Sequence, residues 1–204
     1  IFPLFFAMLM LLAGWAPTKP LAEEDRARIQ TVALLDEITV SKGPLYHGMS
    51  EGIGAGVGGI IGGLIAGSAS DVPSEIERFM SENDVSIQKI TKDALMTALK
   101  ENGPFRIVDK DEADVSFVVT IKDYGFGRDF GFSSRVKPYL TMNAKLIDGD
   151  GKIVWEGAPS VSSTKTTVPG RYIEVWLSSR ELFELAFQQV AGTVARIAVD
   201  DLSE

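Results

Sequence analysis

The stretch GIGAGVGGIIGGLIAGSAS at 52–70 constrains this chain more than any other, because it holds eight glycines and no charged residue. Gly52, Gly56, Gly59, Gly63 and Gly67 recur at spacings of four, three, four and four. A helix through them carries glycine along one face, while Ile53, Val57, Ile60, Ile61 and Leu64 face elsewhere. Each glycine weakens a water-exposed helix by about 1 kcal/mol relative to alanine. Such a helix needs surroundings in which unpaired backbone is costlier still, or a helical neighbour that can approach the bare face, and lipid meets both needs. Nineteen residues reach about 28 Å, close to the roughly 30 Å hydrocarbon core of a bilayer. The spacing therefore predicts a glycine zipper whose membrane or self-association residues are Gly52, Gly56, Gly59, Gly63, Gly67, Ile60, Ile61 and Leu64. The competing reading is a flexible loop or a collapsed hairpin over the domain surface, although flexible linkers pair glycine with serine rather than with branched apolar residues. Because the segment leaves a strand and returns to a helix, a helical hairpin broken near Gly58 and Gly59 or near Gly62 and Gly63, or a shallow insertion, is favoured over a single pass.

The start of the chain points to export. Residues 1–16 read IFPLFFAMLMLLAGWA, an uncharged run short for a membrane span but well sized for a signal-peptide core. The run begins without an initiator Met or a basic n-region, which reads as a missing start. Leu12, Ala13 and Gly14 match the residues before the acylated cysteine of bacterial lipoproteins, but Trp15 stands where the thiol would be. Cleavage is expected near Ala22, so the chain divides into a signal peptide at 1–22, a first strand and turn-rich connection at 23–51, the glycine insert at 52–70, and the rest of one domain at 71–204. Without cysteine, disulfides, thiolate metal sites and cysteine nucleophiles are excluded. A formal charge of −8 with no run of Lys and Arg argues against nucleic acid as a partner.

Periodicity outlines the domain. Residues 29–38 read as a buried strand, 74–80 as a short amphipathic helix, and 85–102 as a helix with Ile87, Ile90, Ala94, Leu95, Ala98 and Leu99 on one face. Asn102, Gly103 and Pro104 end it, with an αL glycine cap expected. Strands are expected at 105–109, at 114–124 with Val115, Phe117, Val119 and Ile121 inward, and at 139–147 with Leu140, Met142, Ala144 and Leu146 inward. Asp148 to Gly151 turns this last strand into KIVWEG, and the Ser- and Thr-rich 160–168 extends the sheet edge. Ser178 and Glu181 fit a capping box for a long final helix carrying Leu182, Ala186, Val190, Val194 and Ile197. The expected fold is α+β: a two-layer sandwich of a mixed, mostly antiparallel sheet with two main helices, plus the glycine-rich apolar helical segment or hairpin.

Candidate chemistry is sparse. His47 is the one histidine and has no nearby acids in sequence, so it reads as a loop residue. Asp109, Asp111, Glu112 and Asp114 lack the spacing of an EF-hand and read as a solvated turn. No phosphate-binding loop, nucleophile elbow or zincin motif occurs, so no catalytic residue, metal or cofactor is assigned, and a non-enzymatic role is expected. The run YGFGRDFGF at 124–132 reads either as a partner-binding or membrane-interface loop formed by Tyr124, Phe126, Phe130 and Phe132, or as a hairpin tip whose rings pack on the sheet.

The segments TVALLDEI, KITKDALMTALKENGPFRIVDKDEADVSFVVTIKDY and YLTMNAKLIDGDGKIVWEG resemble the small α+β domain shared by the curli-secretion lipoprotein, the amino-terminal domain of the Tol translocation protein and lipoprotein activators of penicillin-binding proteins. The resemblance covers about residues 29–38 and 84–157. It implies a periplasm-facing binding or assembly module, often attached to the outer membrane and often multimeric, with an envelope protein as partner. Trp15 and the glycine insert depart from that pattern. A membrane-embedded oligomer or pore component is the alternative expectation.

Overall fold

The computed structural model describes residues 19–48 and 72–203. Residues 1–18 of the expected signal peptide, and the expected zipper residues Gly52, Gly56, Gly59, Ile60, Ile61, Gly63, Leu64 and Gly67, lie outside the described residues.

The spine is a hairpin of β5 (Val115–Arg128) and β6 (Val136–Asp148), paired antiparallel over thirteen residue pairs. Along β6 every second residue from Val136 to Leu146 is buried, as the period of two requires when one face meets a core. Along β5 the buried set starts on odd numbers, Val115, Phe117, Val119 and Ile121, then changes to Tyr124 and Phe126. The change has a local cause: the register shifts between Ile121 and Asp123, and Lys122 is the extra residue of a bulge. One inserted residue exchanges the two faces of everything that follows it.

Beside β5 runs an interrupted parallel track. β1 (Thr31–Leu34), β2 (Thr39–Val40) and β3 (Leu45–His47) pair in turn with residues 115–117, 120–121 and 125–127. The single strand expected at 29–38 is therefore corrected to a short strand, a break, and two further short pairings. β4 (Arg106–Ile107) lies outside β1, also parallel. On the other side β7 (Ile153–Gly157) and β8 (Ser160–Val161) pair antiparallel with β6. The result is an open mixed sheet in the order β4-β1-β5-β6-β7, with β2 and β3 on β5 and β8 on β6.

The helices α2 (Val72–Glu82) and α3 (Ile87–Asn102) connect β3 to β4, the kind of crossover that parallel strands need. Ser86 caps α3, its Oγ accepting from the Lys89 amide at 3.2 Å. At the other end Gly103 has φ −68° and ψ 143°, not the expected left-handed cap. Pro104 disfavours helical geometry in the residue before it, and the Gly103 amide still reaches the Leu99 carbonyl at 3.0 Å. A Cβ at Gly103 would sit 2.4 Å from that oxygen, so glycine is needed for the close approach. After the short α4 (Ile173–Trp176) comes α5 (Arg180–Ser203). Its cap is Ser179, whose Oγ accepts from the Leu182 amide at 3.2 Å, one residue later than expected. Ser178 instead donates to the Val175 carbonyl at 2.9 Å.

Helices α3 and α5 lie side by side on one face of the sheet and close a core that includes Phe117, Trp155, Leu95, Phe183, Phe187 and Trp176, all under 2% exposed. The fold also takes in residues assigned to the signal peptide. Lys19 exchanges two backbone hydrogen bonds of 3.0 Å with Glu156 on the outer side of β7, and Leu21 is buried. The charged residues that follow form the helix α1 (Glu23–Arg28), from which Arg26 donates to the Leu202 carbonyl at 2.6 Å. Lys19 and Leu21 thus pack with the rest of the domain.

Candidate interaction surface

The end of the sheet where β5 turns into β6 carries the exposed aromatic residues. The Asp129 amide donates to the Arg135 carbonyl at 3.0 Å and the Ser133 amide to the Phe130 carbonyl at 2.8 Å, closing a turn inside a wider loop. Gly131 in that turn has φ +33°, a conformation that L side chains rarely adopt, and its missing Cβ faces open space. The Arg128 guanidinium braces the turn by donating to the Gly131 carbonyl at 3.1 Å. Ser163 fastens the loop to the segment after β8 by donating to the Arg128 carbonyl at 2.9 Å. Phe130 is 69% exposed and Phe132 90%.

The structure divides the four rings singled out in the sequence. Tyr124 and Phe126 are buried, because the Lys122 bulge turns them inward, and they are corrected from interaction residues to core. Phe126 stacks on Trp176 at 5.8 Å and meets the edges of Phe183 and Phe187 at 5.6 and 5.4 Å. Tyr124 meets Phe187 at 6.3 Å, and its burial first, with Glu77 second, pushes the phenol up to about 12. The exposed pair therefore projects from a loop set on a packed aromatic cluster.

Sequence reasoning missed the rest of this end. Arg171 exchanges two backbone hydrogen bonds with Val136, at 2.7 and 3.1 Å, which brings the exposed Tyr172 to the base of the same loop. The Arg171 guanidinium stands over the Trp176 ring, 5.6 Å from its centre. Trp176 is itself fixed by donating from Nε1 to the Val136 carbonyl at 3.0 Å. Arg128, Arg135 and Arg171 are exposed, and Lys137 pairs with Asp129 at 2.6 Å. The signal available in the sequence was the charge of 128–137, three cations against one acid in a chain of net −8.

Strand β3 ends at the same end of the sheet. β3 is parallel to β5 with Tyr46 opposite Phe126 and His47 opposite Gly127, so the chain passes Gly48 heading toward the loop of Phe130. His47 is exposed and leans on Tyr139 at 5.8 Å between ring centres, but it ends strand β3 opposite Gly127 rather than lying in the expected loop.

The other candidate positions are structural. Asp114 is exposed in the expected turn but is also anchored there: its carboxylate accepts from the Gln30 and Thr31 amides and the Thr31 hydroxyl, each at 2.9 Å. The backbone hydrogen bond from Gln30 first, then those from Thr31, hold its carboxyl below the usual range. Asp148 accepts from the amides of Asp150 and Lys152 at 3.1 and 2.9 Å and so shapes the β6–β7 turn, where Gly151 has φ +81°. A groove of about 770 Å³ runs between α3 and α5, but its charges are largely spent on each other, Lys89 with Asp93 and Arg180 with Glu184. Among the described residues no group of three or more His, Asp or Glu side chains is placed to hold a metal ion, and no helix is long and apolar enough to cross a membrane.

Neither a family model nor a curated protein matches the chain. Among solved structures it is similar to protein XCC0632 from Xanthomonas campestris, of family DUF330, with 12% identity over 90% of this chain and 86% of that one and a TM-score of 0.45. It is also similar to the PelC dodecamer from Paraburkholderia phytofirmans, with 13% identity over 91% of this chain and 95% of that one and a TM-score of 0.37. Likeness at this level assigns no function.

Proposed function

We propose that this protein is an exported, non-enzymatic accessory module of the bacterial cell envelope, facing the periplasm and held at the outer membrane, or to further copies of itself, by the glycine-rich stretch. One observation carries the reading: Phe130 and Phe132 are held out to solvent at the end of the sheet where β3 finishes with His47 opposite Gly127. Two large apolar rings that water disfavours stand out from the fold at that end. Burial of a phenylalanine ring is favourable by about 1.5–3 kcal/mol, so this end of the molecule gains by meeting lipid or protein. The glycine faces then supply close helical contact, the role that acylation plays in the lipoproteins the sequence resembles.

Fractionation of cells expressing the full chain tests the reading against a deletion of residues 52–70. Wild type is expected with the outer membranes and the deletion in the soluble periplasm. Wild type recovered as a soluble monomer without detergent would overturn it. A membrane-embedded oligomer is distinguished by size: Gly59→Leu with Gly63→Leu would then abolish both the multimer and dye leakage from liposomes.

A further inference from the structure

The loop between β5 and β6 presents Phe130 and Phe132 to solvent on a turn held by hydrogen bonds, surrounded by cations. We infer that this tip is a binding site for an anionic lipid surface, with the two phenyl rings entering the interface and Arg128, Arg135 and Arg171 meeting phosphate groups. This deepens the envelope reading, from which it takes only that the chain works at a membrane.

Charge selects the occupant. The chain as a whole is acidic, yet residues 128–137 carry three cations against Asp129 alone, and Arg171 adds a fourth. Asp129 is itself occupied by Lys137, and the other acid at this end, Glu174, acts on the Tyr46 phenol, so cations outnumber acids here four to two. An acidic protein partner would answer the cations but would leave the two rings in water unless it also offered an apolar pocket. The boundary of an anionic bilayer offers both, phosphates at one depth and acyl chain just beneath. Guanidinium groups suit phosphate because their planar donors can grip two oxygens at once. Arg128 spends one N–H on the Gly131 carbonyl, and the guanidinium has four more to offer. Tyr172, about half exposed at the base of the loop, is of the residue type that favours the headgroup level.

Preorganisation strengthens the case. Among the described residues Phe130 and Phe132 are the most exposed of the large apolar side chains, but their backbone is fixed by the Ser133 and Asp129 amides and fastened by Ser163. A ring held out on a fixed turn loses less freedom on insertion than one on a loose loop.

The test uses the full chain and vesicles of phosphatidylcholine with or without phosphatidylglycerol. Because the chain has no cysteine, Ser134→Cys gives a unique attachment point for an environment-sensitive fluorophore in the loop. Emission from this label is expected to shift to the blue with phosphatidylglycerol vesicles and much less with phosphatidylcholine alone. Phe130→Ser with Phe132→Ser is expected to abolish the shift. Each of Arg128→Gln and Arg135→Gln is expected to weaken partitioning about fivefold. No shift with anionic vesicles, or an equal shift with both kinds, would overturn the proposal. The same label on the chain lacking 52–70 separates this failure from failure of the envelope reading: a tip that binds lipid without the glycine stretch upholds the site whatever the stretch does.

Discussion

Phe126 and Phe130 stand four residues apart in one aromatic run, and their fates are opposite. Phe126 is fully buried among Trp176, Phe183 and Phe187, so Phe126→Ala is expected to cost about 3–5 kcal/mol in urea unfolding. Phe130→Ser with Phe132→Ser removes exposed rings and is expected to leave stability within about 0.5 kcal/mol. A loss comparable to that of Phe126→Ala would mean that the exposed rings pack on the fold. Asp114 makes a second residue-scale prediction. Its carboxyl is held below the ordinary value, so its contribution is present above about pH 4 and is lost as the pH falls through the lower folded value. Asp114→Ala should therefore lower stability to urea at pH 7, by about 0.5–1.5 kcal/mol, and the gap to wild type should close toward pH 2.

Among the elements, the strands with unbroken alternation were legible and those with irregularities were not. Val115 to Ile121 and Leu140 to Leu146 face the core as their period of two demanded, since that pattern depends only on one face being buried. A bulge has no period, and Lys122 hid the fact that Tyr124 and Phe126 turn inward; the spacing of three between Ile121 and Tyr124 was the only trace. The two breaks in the track of β1, β2 and β3 escaped for a related reason, because a run of apolar residues does not record where pairing lapses. Ends of helices were displaced where two neighbouring serines compete for one cap, as at Ser178 and Ser179. The bulge can be tested directly. Deleting Lys122 should exchange the faces of residues 123–128 and strip near-ultraviolet circular dichroism from the aromatic cluster, while Lys122→Ala should change little. Equal behaviour of the two variants would show that β5 does not depend on the inserted residue.

For the whole molecule, the packing of residues 19–21 and the exposed end of the sheet are the features that matter. Residues 19–21 belong to the fold through the Lys19 pairing with Glu156 and the buried Leu21. A chain starting at Glu23 should be about 2–4 kcal/mol less stable than one starting at Lys19, measured by urea unfolding. The candidate surface was half legible: the aromatic run stands out in sequence, but its division into buried and exposed rings does not, and Arg171 and Tyr172 arrive from a distant segment. At the opposite end of β6 lies the tight turn of Asp148 to Lys152, about 40 Å away for an extended strand of thirteen residues. The central claim is that the molecule meets a membrane by the first end and not the second. The most direct measurement places a spin label at Ser134→Cys or at Asp150→Cys in the full chain bound to anionic vesicles and compares relaxation by lipid-soluble oxygen with that by a water-soluble nickel complex. The account predicts that the label at 134 is shielded from nickel and relaxed by oxygen while the label at 150 stays in water; the reverse pattern, or two equally wet labels, would contradict it.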